Sequence, residues 1–423
     1  MQTSVENLIV GGGQAGLAMS EHLSLNGAEH LILERGRIAE RWRSQRWDSL
    51  VANGPAWHDR FPSMEFSGIG PDEFASRETV SNYFSEYARQ INAPIRCGVE
   101  VLEVVSRKGQ TGYHVVTSEG EMTARNVICA TGGFQQPVIP SILPDTIPEL
   151  LQLHSSDYRN ARQLPDGATL VIGAGSSGTQ IAEDLFASGK RVYLSVGPHD
   201  RPPRRYRGRD FVWWLGVLGK WDAEVLAPGT EHVTIAVSGV NGGHTIDFRR
   251  MASRGITLTG MTESYRNDTL FFASDLAENI AKGDANYLSL LDEADAYVQR
   301  NGLELPTEPE ARVFDADPPC VSHPISQLNL TETNITSIIW ATGYRFDYSF
   351  LHVDVLDDQG RPRHHRGITS ESGLYFLGLP WQTRRGSSFI WGVWHDARYL
   401  AEHIAKQKSY LDYHLSASVN HPG

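Results

Sequence analysis

Two glycine-rich segments of the same type define the chemistry within reach of this chain. One reads Leu8-Ile9-Val10-Gly11-Gly12-Gly13-Gln14-Ala15-Gly16, the other Leu170-Val171-Ile172-Gly173-Ala174-Gly175-Ser176-Ser177-Gly178. Each follows a short apolar run and opens a segment that reads as a helix. The first glycine (Gly11, Gly173) allows a tight strand-to-helix turn. The second (Gly13, Gly175) lets the backbone approach a pyrophosphate, and the third (Gly16, Gly178) lets helix and strand pack closely. The helix N-terminus offers unpaired N–H groups and a partial positive charge to the phosphates. Gln14, Ala15, Ser176 and Ser177 open those helices and are counted with the glycines as cofactor-binding. One such site implies one dinucleotide. Two imply that electrons pass between two bound dinucleotides, as in a flavoprotein fed by a nicotinamide.

The two copies differ where the adenosine ribose is read. After the first, the strand His30-Leu31-Ile32-Leu33 ends on Glu34, roughly twenty residues past the turn, where a carboxylate accepts ribose hydroxyls. That copy suits FAD. In the second, the equivalent position is Val196, and Arg201, Arg204 and Arg205 follow. A missing acid with arginines nearby suits a ribose 2′-phosphate, and so NADPH.

Composition narrows the partners. The chain has 423 residues, a net charge of −12 and forty glycines. It is long enough for two domains with substantial cores, and too acidic for nucleic acid or an anionic membrane surface to be its main partner. Cys97, Cys129 and Cys320 are widely spaced with no C-x-x-C, which speaks for a reducing compartment and against dithiol or metal-knuckle chemistry. The N-terminus enters a strand at once, and the longest apolar stretch, residues 211–218, is far below a membrane span. The expectation is a soluble, cytoplasmic protein that takes a small-molecule substrate and O₂ and binds no metal. A homo-oligomer is compatible with the composition.

The elements that position these residues read as α/β. The fingerprint strands are continuous apolar runs, as in parallel sheets covered on both faces. Residues 78–91 repeat apolar side chains at helical spacing, and 99–105, 113–117 and 122–129 read as strands. Proline-rich linkers at 137–148 and 306–319 divide the chain. The expected organisation is residues 1–160 and 320–423 as an FAD-binding domain, with residues 165–305 inserted as an NADPH-binding domain. Residues 275–300 read as a helix in which Gly283 is a candidate break. A final helix is expected over 388–406.

Further motifs carry a family resemblance. Cys129-Ala130-Thr131-Gly132 and Trp340-Ala341-Thr342-Gly343-Tyr344 each end an apolar strand, and His154-Ser155-Ser156-Asp157-Tyr158 follows the first linker. With the paired fingerprints, these resemble the class B flavoprotein monooxygenases. The signature there is F-x-G-x-x-x-H-x-x-x-aromatic. Here Pro148 and Leu150 replace the Phe and Gly, and the aromatic is Tyr158, which leans toward the flavin-containing monooxygenases, including the YUCCA type. His154 itself reads as an interdomain structural residue. By the same resemblance Trp42 packs on the flavin nucleotide, and Asn53, in Asn53-Gly54-Pro55, reaches the flavin edge as the catalytic residue. Val101, Thr131, Thr342, Gly343 and Gln382 complete the implied cofactor set. Phe389, Trp391 and Trp394 are candidate walls of a substrate pocket. The implied activity is NADPH- and O₂-dependent oxygenation, through a C4a-(hydro)peroxyflavin, of a soft nitrogen or sulfur nucleophile or a carbonyl compound. Two alternatives stay open: an NADPH-dependent flavin oxidase or reductase, and a nucleotide-sensing flavoprotein.

Overall fold

A computed structural model describes residues 4–224 and 234–419. The first domain opens with β1 (Ser4–Val10), α1 (Gln14–Leu25) and β2 (His30–Glu34), the strand–helix–strand unit expected around the first fingerprint. There follow α2 (Arg77–Gln90), β3 (Ile95–Cys97), β4 (Val101–Ser106), β5 (Tyr113–Thr117) and β6 (Gly120–Cys129). The second domain contains β7 (Leu151–His154), β8 (Ala168–Ile172), α3 (Ser176–Ala187), β9 (Arg191–Ser195), β10 (Thr257–Thr259), α4 (Leu276–Asn301) and β11 (Ile335–Trp340). The chain then returns to the first domain with β12 (Leu351–His352), β13 (Leu374–Phe376) and α5 (Ile390–Val419).

The first sheet runs β12-β4-β5-β6-β1-β2-β3, with β13 also on β6. Its nucleotide half, β6-β1-β2-β3, is parallel, whereas β4-β5-β6 is an antiparallel meander. The second sheet, β10-β9-β8-β11-β7, is wholly parallel. Every residue of β8 is buried, which explains its unbroken apolar run: both faces of a parallel sheet are covered.

Sheet membership moves the expected domain boundaries. Leu151–His154 and Ile335–Trp340 both flank β8 or its neighbour in the second sheet, so the inserted domain runs from β7 to β11. Prolines mark where regular structure stops, but not which sheet the next strand joins. That is settled by pairing across 188 residues, as when Gln152 accepts from Trp340 Nε1 (3.1 Å). The start of the first linker also pairs with the segment after β11, Gln136–Pro137 against Tyr344–Arg345.

Two helices differ in extent from expectation. α4 runs through Gly283 unbroken. A Cβ there would lie 2.5 Å from His199 Nε2 and 3.3 Å from Arg201 Cγ, so this glycine permits close packing and does not break the helix. α5 continues beyond Lys406. No helix among the described residues is long and apolar enough to cross a membrane.

The fingerprint glycines are required by contact. A Cβ on Gly16 would sit 1.9 Å from the Gly11 carbonyl oxygen, and one on Gly178 1.8 Å from that of Gly173. Gly178→Ala is expected to lose ~1–3 kcal/mol through overpacking against a backbone that cannot step aside. Thermal unfolding checks this; an unchanged midpoint would refute the packing argument.

Candidate functional site

The N-terminus of α1 is built to receive an anion. Its N-cap, Gly13, makes no side-chain cap hydrogen bond, and a Cβ there would meet nothing within 4 Å. Gln14 ties the helix start to the chain before α5, donating to the Ser388 carbonyl (2.7 Å), and Ala15 lies beneath Gly378. Glu34 accepts from the N–H groups of Gly12 and Gly36, both at 2.7 Å. A carboxylate has about four acceptor sites, so roughly two remain for ribose hydroxyls. Val101 is buried at the start of β4, and Thr131 Oγ1 accepts from Gln135 Nε2 (2.7 Å). Gln382 is 4% exposed; its Oε1 accepts from Leu379 N–H (3.3 Å), while its Nε2 is buried without a partner. An open helix start, a fixed carboxylate and an unpaired buried amide donor fit a flavin dinucleotide.

The second fingerprint has the same backbone plan. The end of β6 lies against Gly11, where a Cβ would fall 2.6 Å from the Ala130 carbonyl oxygen. The end of β11 lies against Gly173, 2.4 Å from that of Ala341. Each Ala-Thr-Gly turn thus seats the first glycine of one fingerprint. Thr342 Oγ1 donates to the Val138 carbonyl (2.5 Å), and the Gly343 carbonyl accepts from Val138 N–H (3.0 Å). These two residues therefore join the end of β11 to the first linker.

Around α3 the structure departs from expectation. The Ser176 N–H and its Oγ both donate to the Ile235 carbonyl at 2.8 Å. Thr234 Cγ2 stands 3.1 Å from a Cβ placed on Gly175. A short strap, residues 234–238, therefore covers this helix start and takes the Ser176 amide expected for the phosphate. Ser177 is half-buried beside it.

The three arginines differ in exposure and pairing. Arg201 is 2% exposed, paired with Asp284 (2.5 Å) and packed on the rings of Tyr287 and Phe314. Arg204 is 3% exposed, paired with Asp210 (2.5 Å), and donates to the Asn53 carbonyl (2.7 Å). Burial pulls the Arg204 guanidinium below its usual range, against the raising pull of Asp210. Both side chains are turned to buried acids. Desolvating an arginine requires a paired acid; Asp210 follows Arg204 closely in the chain, whereas Asp284 lies on α4, far from Arg201. Of the three, only Arg205 is exposed, donating to the Gly242 carbonyl (3.0 Å).

Asn53 sits where the two domains meet. Its carbonyl is held by Arg204, its Oδ1 accepts from Gln180 Nε2 of α3 (2.9 Å), and the following N–H, of Gly54, donates to Asp59 (2.9 Å). Asp59 also binds His58 Nδ1 (2.8 Å). The His58 ring lies 5.4 Å from that of Trp221 and 5.2 Å from that of Trp391. Phe389 meets Trp221 edge-on, whereas Trp394 turns into the first core, where Nε1 bonds Glu21. Of the three expected wall aromatics, Trp391 and Trp394 thus take different faces of α5, and Phe389, just before it, joins Trp391 at Trp221. Trp42 is half-buried and packs against both domain cores.

The His154 segment is a structural joint. Nε2 meets the Gly343 carbonyl (3.0 Å), Nδ1 meets Ser156 (3.0 Å), and burial lowers the imidazole pKa. Tyr158, fully buried, donates to Asp184 of α3 (2.6 Å). Gln180, Asp59, His58 and the strap were not singled out from sequence. Gln180 and the strap act through partners distant in the chain, and nothing in their local pattern marks them, whereas Asp59 answers its neighbours Gly54 and His58.

The comparisons with known proteins agree with this architecture. A family model described as pyridine nucleotide-disulphide oxidoreductase matches residues 8–207. An uncharacterized CzcO-like oxidoreductase of Geobacillus kaustophilus is 32% identical over 96% of this chain and 99% of its own. YUCCA4 of Arabidopsis thaliana, a probable indole-3-pyruvate monooxygenase, is 26% identical over 95% of this chain and 90% of its own. The flavin-containing monooxygenase from Stenotrophomonas maltophilia has the same fold, with TM-score 0.65 at 19% identity over 96% of this chain and 99% of that one. So does the bacillithiol disulfide reductase of Staphylococcus aureus, at TM-score 0.61 and 15% identity over 96% and 100%.

The buried arginine pair yields a stability prediction. Asp284 answers Arg201 and also Arg249 (2.7 Å). Asp284→Ala is expected to lose about 3–5 kcal/mol, because it leaves buried charge uncompensated. Asp317→Ala, at the half-exposed partner of Arg249, should lose only ~0–1 kcal/mol. Paired unfolding curves decide; equal losses would contradict the burial argument.

Proposed function

This chain belongs to the class B flavoprotein monooxygenase family, beside the CzcO-like oxidoreductases, and we propose that it uses NADPH and dioxygen to oxygenate a small substrate. It is an oxidoreductase, and FAD and NADPH are its cofactors. The substrate class proposed is a soft nitrogen or sulfur nucleophile or a carbonyl compound. A relative named for a keto acid supports the last of these.

The observation that carries this reading is the junction at Asn53. A loop of the first domain is bonded there to the helix that opens at the second fingerprint. Hydride passage between two dinucleotides needs them face to face at such a junction, and the protein's work is to bind, orient and exclude water. When bound, the flavin supplies hydride acceptance and dioxygen activation. We assign its dinucleotide to Gly11, Gly13, Gly16 and Glu34, with Gln382 Nε2 as a further donor. The Asn53 amide would donate to the reacting edge. Trp57, His58, Trp221 and Trp391 would keep bulk water from it, being half-buried or buried and in mutual ring contact.

For the second coenzyme we assign Gly173, Gly175 and Ser177, with Arg205 as the phosphate partner among the arginines. Its pyrophosphate competes with the Ile235 carbonyl for the Ser176 amide, so binding shifts the strap.

Stoichiometry tests the activity. With an oxygenated substrate, each NADPH consumed should place one ¹⁸O atom from ¹⁸O₂ into product. Recovery of all reducing equivalents as hydrogen peroxide, across amines, thioethers and keto acids, would favour the oxidase reading. No NADPH turnover at all would favour the sensor.

Arg205→Ala is expected to raise the Michaelis constant for NADPH several-fold and leave that for NADH unchanged. Steady-state kinetics with both coenzymes check this, and equal effects would remove Arg205 from the phosphate.

A further inference from the structure

We infer that Gln180 is a positioning residue that fixes which way the Asn53 amide faces, and so links the coenzyme helix to the coupling of oxygen transfer. The inference rests on the role proposed above for Asn53.

A backbone carbonyl starts the argument. Gln180 Nε2 lies 2.6 Å from the Val237 carbonyl oxygen and 2.9 Å from the Asn53 side chain. A carbonyl only accepts, so the Gln180 atom facing it must be the amide nitrogen. That nitrogen carries two hydrogens. One goes to Val237, and the other points at Asn53, which must answer with Oδ1. The orientation of Asn53 therefore follows from Val237 by elimination. Its Nδ2 is turned away from Gln180 and has no partner among the described residues. The donor is thereby left available on the opposite side.

The rest of the Asn53 environment holds its backbone only. Arg204 binds its carbonyl, and Asp59 binds the next N–H. Gln180 alone among the described residues holds the side chain. It is 4% exposed, and its Oε1 is buried without a partner. A buried amide that spends both hydrogens and leaves its oxygen unpaired is poorly explained by stability, since an unpaired buried acceptor is a cost. It is well explained if the two donors are what is needed.

Position adds the link. Gln180 sits one turn into α3, whose first residues, Ser176 and Ser177, close the second fingerprint. The strap touches the same helix twice, with Ile235 on Ser176 and Val237 on Gln180. Displacement of Ile235 by a pyrophosphate therefore acts on a segment that also holds Gln180.

The test uses the full-length flavin-loaded enzyme in four forms: wild type, Asn53→Ala, Gln180→Met and the double variant. Gln180→Met keeps the volume and removes both donors. Gln180→Glu, which keeps the shape and offers no donor as a carboxylate, replaces it if Met prevents folding. Flavin content of Gln180→Met should stay within about twofold of wild type, which shows that the variant is folded and loaded. Peroxide released per NADPH should rise several-fold in Gln180→Met and in Asn53→Ala. The double variant should leak no more than Asn53→Ala, because residues acting as one unit are not additive. A second readout needs no turnover. In ¹⁵N-asparagine-labelled protein, the side-chain amide pair that is lost in Asn53→Ala should shift in Gln180→Met.

Leakage in Asn53→Ala with wild-type coupling in Gln180→Met overturns this inference and spares the role of Asn53. Additive leakage, or an unmoved amide resonance, also overturns it. Wild-type coupling in Asn53→Ala overturns both.

Discussion

Close contact between two backbones is the constraint on which this molecule is built. At each fingerprint the helix lies so near the turn before it that a single Cβ would fall inside a carbonyl oxygen. The neighbouring strand end closes in from the other side, Ala130 on Gly11 and Ala341 on Gly173. Only glycine allows both approaches, and both glycines at the turn adopt positive φ, 113° and 118°. The result aims the first N–H groups of a helix at a fixed point, which is what an anion site requires.

The same device, used twice, ends in two different states. At α1 the helix start faces open space. At α3 it is covered by the strap, whose carbonyl already satisfies the Ser176 amide. An orphan N–H at a helix start is satisfied by a cap, water or ligand, and here a backbone segment serves as the cap. On the proposed assignment, the first dinucleotide would meet no such competitor, while the second would meet one built into the protein. That difference suits a prosthetic group and an exchangeable coenzyme.

Between the two sites the polar network is made of long-range pairs. Arg204, which looks from sequence like a phosphate ligand, spans Asp210 and the Asn53 carbonyl instead. Tyr158 reaches Asp184, and His154 reaches Gly343. Arg204 ties the loop that carries Asn53 to the second domain, Tyr158 ties the segment after β7 to α3, and His154 ties the end of β7 to the turn after β11. Arg204 and Asp210 answer each other's charge in a buried setting, so removing either one alone carries a cost.

Much of the architecture was legible in the residues. Alternating turns and apolar runs are local, so β5 over Tyr113–Thr117 has the bounds expected. The fingerprints were legible because their glycines answer to sterics within a few residues. Domain membership was not, since Leu151–His154 and Ile335–Trp340 join the second sheet by pairing with strands far away in the chain. The fate of Arg201 and Arg204 was equally hidden, because an arginine on a page has no visible partner. Whether it faces solvent or Asp284 depends on how α4 packs, and that in turn on Gly283. Local chemistry could thus be read from residue order, whereas burial and pairing, which decide what a charged side chain does, arose only when distant segments met.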